Sequence, residues 1–80
     1  MTYTIIYEKI SDGSMPEGYY YAYIPVLDIT THGHGIDGAK EAARDLMKIW
    51  IDEKRANGEI IPVEDETLVS KIEVEDALHT

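Results

Sequence analysis

Along residues 2–10 the chain reads Thr-Tyr-Thr-Ile-Ile-Tyr-Glu-Lys-Ile, which sets Tyr3, Ile5 and Tyr7 on one side and Thr4, Ile6 and Glu8 on the other. That density of Tyr, Ile and Thr predicts a first β-strand. Residues 11–18, Ser-Asp-Gly-Ser-Met-Pro-Glu-Gly, are turn chemistry throughout. A second strand is predicted over 19–26, forming an antiparallel hairpin with the first across a loop of about eight residues. Pro25 marks an edge or an exit from that strand. Residues 28–32 suit a short third strand running back alongside, followed by a tight glycine-rich corner.

The period then changes. Ile36, Ala39, Ala43, Leu46, Met47, Trp50 and Ile51 recur at spacings of three and four, which is one face of a helix over 36–56. Asn57-Gly58 supplies a left-handed stop, and Pro62 stands where a helix could not continue. The opposite face carries Lys40, Arg44 and Lys48 in one row and Asp37, Glu41 and Asp45 in another. Unlike charges therefore meet at i and i+3, as on an ordinary solvated face. Residues 60–66 read as an extended acidic connector. In 68–74, Leu68, Ser70, Ile72 and Val74 alternate with Val69, Lys71 and Glu73, a period that fits a last strand. The predicted fold is α+β, in the order β-β-β-α-β, as a single domain over 1–80 with no separate DNA-binding domain.

Eighty residues bury only about 60% of the surface that the unfolded chain exposes. One helix on one sheet leaves the second sheet face uncovered, so self-association, as a dimer or tetramer, is the expectation. Alternation puts Tyr19, Tyr21 and Tyr23 on one side of the second strand and Tyr20, Ala22, Ile24 and Val26 on the other. The Ala/Ile/Val side suits packing under a helix, which assigns the three tyrosines to the open face. Rings with wet hydroxyls are common at interfaces, and equally common as plain strand formers.

Charge narrows the partner. Seven Lys and Arg against sixteen Asp and Glu give a formal net charge of −9, which disfavours direct nucleic-acid binding and favours a basic protein. The same charge serves plain solubility. Residues 59–80 alone hold seven acids and one base, −6 of the total. The candidate partner or oligomer contacts are therefore Tyr19, Tyr21, Tyr23, Tyr3 and Tyr7, with Glu64, Asp65 and Glu66 from the acidic segment.

Chemistry is poorly provided for. No cysteine is present, so neither disulfide nor thiolate site can form. His32 and His34 share a side at strand spacing, yet a metal site needs three or four ligands, and Asp28 and Asp37 fall on different elements. Asp12, Asp28 and Asp37 lie near element ends, where catalytic acids would be placed, but acids make up a fifth of the chain. No nucleophile elbow or dinucleotide fingerprint is present. The reading is of a non-enzyme with no catalytic residue, cofactor or metal. The opening MTYTIIYEKI has no basic region leading into an apolar core, and the longest apolar run is too short for a membrane span. A cytoplasmic protein is expected.

The order of parts resembles the HicB-like antitoxin family. The residues that carry this are the tyrosine-rich hairpin, Pro25-Val26-Leu27, Thr31-His32-Gly33, Ile36-x-x-Ala39-x-x-x-Ala43 running into Leu46, Trp50 and Ile51, and Gly58-x-x-Ile61-Pro62. The similarity covers residues 3–74. It implies a reduced ribonuclease-H-like fold without catalytic carboxylates, and a role in binding and neutralising a small basic HicA-type toxin that cleaves messenger RNA. Departures are Asp28-Ile29-Thr30 where the family has Pro-Gly-Cys, and His34-Gly35 where it has Asp-Thr, which leaves glycine as the expected helix cap. Two other readings stay open: an orphan homo-oligomer whose tyrosine face is its own interface, and a metal-dependent enzyme using His32, His34 and nearby carboxylates.

Overall fold

A computed structural model describes residues 1–75. Its elements are β1 (Ile6–Lys9), β2 (Tyr19–Ile24), β3 (Ile29–His34) and α1 (Gly35–Ala56). The sheet is antiparallel throughout in the order β1-β2-β3, with α1 on one face. This is the α+β arrangement expected for β-β-β-α.

β1 is shorter than the predicted 2–10, and its register gives the reason. Ile6 pairs with Tyr23, so continuing the ladder would bring Thr4 opposite Pro25, which has no N–H to donate. β2 stops at the same proline. The chain then reverses through Leu27, whose N–H reaches the Ile24 carbonyl at 3.2 Å, and Asp28, whose N–H reaches that of Pro25 at 3.1 Å. The sharp corner is therefore at 25–28. The glycine-rich stretch, expected as the corner, is instead strand, and β3 runs through Gly33 to His34 before α1 begins.

Alternation on β2 sorts the faces as expected. Ala22 and Ile24 are fully buried, and with Leu27, Ala39 and Ala43 they form the core. Two small residues on the helix let it lie close to the sheet, and Gly33 sharpens the approach: a Cβ there would overlap the backbone of Gly38. Met47 and Trp50 pack against the rim of this core, while Ile36, expected on the buried stripe, is 44% exposed. Its place one residue after the strand–helix junction leaves it outside the sheet's footprint.

At the start of α1 the cap is His34, in extended conformation and without a side-chain capping bond, and the expected glycine cap lies one residue inside. The helix ends as the Asn-Gly pair predicts. Glu59 N–H bonds Lys54 O at 2.9 Å and Gly58 N–H bonds Arg55 O at 3.0 Å, with Gly58 at φ +70°. These two reversed bonds satisfy orphan carbonyls of the last turn in a Schellman motif.

The last predicted strand does not form within the chain. Residues 68–74 pair with no strand of the sheet, and Leu68 is 82% and Ile72 87% exposed. The chain is held only just before this point. Tyr3 donates its hydroxyl to Pro62 O at 2.5 Å, and both the N–H and the hydroxyl of Thr4 donate to the Glu64 carboxylate at 2.6 Å. The described residues reach 55 Å along their longest axis and 18 Å along their shortest, whereas α1 at 22 residues spans about 33 Å. No described helix is long and apolar enough to cross a membrane.

Candidate binding surface

The uncovered face of the sheet is built by pleat and register alone. Tyr23 stands between Ile6 and Thr30, Tyr21 between Glu8 and His32, and Tyr19 beside His34. All these side chains share the side away from α1, because their neighbours Ala22 and Ile24 point into the core. Tyr19, Tyr21 and Tyr23 are each half-buried. Ile6, Glu8, Tyr21, Tyr23 and Thr30 line a shallow open hollow of about 310 Å3.

Two features of this face were not anticipated. The histidines belong to it: the Tyr19 ring lies 5.4 Å from the His34 ring in an edge arrangement and 6.4 Å from that of His32. The aromatic band therefore runs from Tyr23 across Tyr21 and Tyr19 to the imidazoles, weighed from sequence only as metal ligands. Second, Tyr23 donates its hydroxyl to Asp28 Oδ1 at 3.1 Å. That hydrogen bond, with some desolvation and the nearby carboxylate charge, raises the Tyr23 pKa and holds the phenol protonated. Asp28 takes φ +51° at the corner, which places its carboxylate at the edge of the tyrosine row.

The face has a consistent charge. Its strand positions, Ile6, Glu8, Tyr19, Tyr21, Tyr23, Thr30, His32 and His34, include a carboxylate and neither lysine nor arginine. Lys9 pairs with Tyr20 and so stands on the helix side. The sequence signal for Glu8 was present, since it alternates with Tyr7, but its place opposite Tyr21 needed the hairpin register.

The remaining candidates lie elsewhere. Tyr3 and Tyr7 are on the helix side, packed against the core. Glu64 is held by Thr4, whose hydroxyl and then amide lower its pKa. Asp65 and Glu66 are exposed. The structure thus brings Tyr19, Tyr21 and Tyr23 together and places Glu64 at the start of the chain's other side.

A second depression lies between the N-terminal segment and α1. Tyr3, Ile5, Met47 and Ile51 supply apolar lining, and Lys40, Arg44 and Lys48 supply charge, around about 470 Å3 of open groove. Arg44 also pairs with Glu41 one turn away. The basic row is exposed, as read from sequence, and also borders this groove. Among the described residues, no cluster of three or more His, Asp or Glu is placed to hold a metal ion.

No protein-family model, curated protein or solved structure matched this chain.

Proposed function

We propose that this chain is an antitoxin-like binding protein of the HicB type. In this reading it acts stoichiometrically, without catalysis, in the cytoplasm, and its tyrosine face covers the RNA-binding surface of a small basic messenger-RNA-cleaving toxin of HicA type. The observation that carries the reading is the composition of the open face: three tyrosines and two histidines in one band, with Glu8 and Asp28 beside it and neither lysine nor arginine at its strand positions. Tyrosine offers large apolar area with a hydroxyl that remains satisfied when wet, which suits a surface that is exposed before binding and buried after it. A ribonuclease must present cations to RNA, so an acidic partner both meets it faster and competes for the same surface. The order of motifs over residues 3–74 supplies the family expectation.

The test is to mix the full chain with a HicA-type toxin from the same genome and measure the mass by light scattering after size exclusion. A stable mixed complex is expected. Replacing Tyr19, Tyr21 and Tyr23 by Ala should then weaken affinity by at least about 100-fold, close to 2.7 kcal/mol. Unchanged affinity in that variant removes the tyrosine face from the reading. A homo-oligomer that ignores the toxin favours the orphan reading.

A further inference from the structure

Residues 68–74 have the pattern of a strand and the surroundings of none. Leu68, Ile72 and Val74 lie on one side of the alternation, and all are more than 70% exposed. No backbone hydrogen bond joins residues 60–75 to the sheet. An apolar segment exposed to water, with no backbone partner among the described residues, lacks the neighbour its pattern is built for.

The rest of the molecule offers the matching seat. β1 is an edge strand, and among the described residues nothing pairs with its outer side. The groove between the N-terminal segment and α1 provides an apolar floor at Ile5, Met47 and Ile51. Its wall gathers Lys40, Arg44 and Lys48, three of the seven basic residues in a chain of net charge −9. Within 68–74, Lys71 and Glu73 cancel, and both lie on the side opposite Leu68, Ile72 and Val74. Groove floor and segment therefore match in apolar character.

A chain does not readily fill its own groove. Pro62 is fixed on Tyr3 and Glu64 on Thr4, yet residues 68–74 pair with no strand of their own sheet and stay exposed. Beyond Pro62 the sequence has no glycine or proline to turn it back.

We propose that two copies of this chain exchange residues 68–74. Each segment adds as a strand to the open edge of β1 in the other copy, with Leu68, Ile72 and Val74 over the apolar floor of the groove. The exchange is reciprocal, as a two-fold interface requires. It completes the four-stranded sheet that the sequence pattern specifies, with the last strand supplied by the partner. It also uses the edge and the helix side, leaving both tyrosine faces uncovered, and it holds whether or not a toxin is bound.

The absence of cysteine makes the test clean. Ile72→Cys and Ile51→Cys are made in separate, differently tagged chains, co-refolded and treated with a short bis-maleimide. Cross-linked heterodimer between the two tags is expected, and the double variant on one chain should link between chains. Light scattering on the unmodified chain should give twice the 9.0 kDa monomer mass. Leu68→Asp with Ile72→Asp should return it to the monomer with the helical circular dichroism retained. The proposal is overturned by a double variant that links only within one chain, by a monomer at all concentrations, or by a dimer that survives Leu68→Asp/Ile72→Asp. It is likewise overturned by a dimer that dissociates only when the tyrosines of β2 are replaced.

Discussion

Two stretches of this chain alternate apolar and polar residues in the same way, and they meet opposite fates. In β2, Tyr19–Ile24, both edges are paired and one side is driven into the core, with Ala22 and Ile24 fully buried. In residues 68–74 neither edge is paired and both sides face water. Alternation specifies which side chains share a face. It does not specify which strand will lie alongside, and that is decided by where the flanking chain is anchored. β2 is flanked by two reversals that return the chain to it. The later segment is preceded by an anchor at Thr4–Glu64, and among the described residues no reversal returns it to the sheet.

The comparison breaks most severely at the seat of the helix. Gly33→Val places a branched side chain where even a Cβ overlaps Gly38, so α1 must lift from β3 and the fold should lose about 3 kcal/mol or more. Chemical denaturation measures this, and an unchanged midpoint would show that helix and sheet are not in close contact. Next in size, Ile24→Ala empties a fully buried site and should cost about 3 kcal/mol. A cost under about 1 kcal/mol would mean that the side chain is not at the core.

Smaller effects sharpen the account of the anchors. Gly58→Ala forces an L-residue to φ +70° at the helix stop and should cost about 1 kcal/mol in thermal or urea unfolding. The Glu64 contact should respond to pH. Its folded pKa lies below the ordinary glutamate value because the Thr4 hydroxyl, then the amide, favour the ionised form. The stabilisation is therefore complete above the ordinary value and is lost as pH falls through the lowered folded one. The Thr4 amide resonance should titrate in that acidic range and cease to do so in Glu64→Gln. A Thr4 amide insensitive to pH would place the segment elsewhere.

Much of this architecture was legible in sequence, for reasons visible in particular residues. The helix was clear because Ala39, Ala43 and Met47 keep a strict period and Asn57-Gly58 closes it. The tyrosine face was clear because Ala22 and Ile24, which suit packing under a helix, alternate with Tyr19, Tyr21 and Tyr23. What escaped reading depended on register and on distant contacts. Pro25, legible as the exit from β2, also limits β1, because the register sets it opposite Thr4. His32 and His34 join the tyrosines only because β3 continues through Gly33. The basic row of α1 is the solvated face it reads as, and it also borders a groove only because the N-terminal segment lies beside it. The final segment has the alternation of a strand, yet it pairs with no strand of the sheet, because alternation carries no signal for the neighbour it needs.

The most direct test of the functional account is an amide-shift titration of the isotopically labelled chain with a catalytically inactive HicA-type toxin. Shifts concentrated at Ile6, Glu8, Tyr19, Tyr21, Tyr23 and His32 are expected, weakening as salt is raised. Shifts confined to α1 or to the Lys40–Lys48 groove, or none at saturating toxin, would contradict the assignment of the tyrosine face as the binding surface.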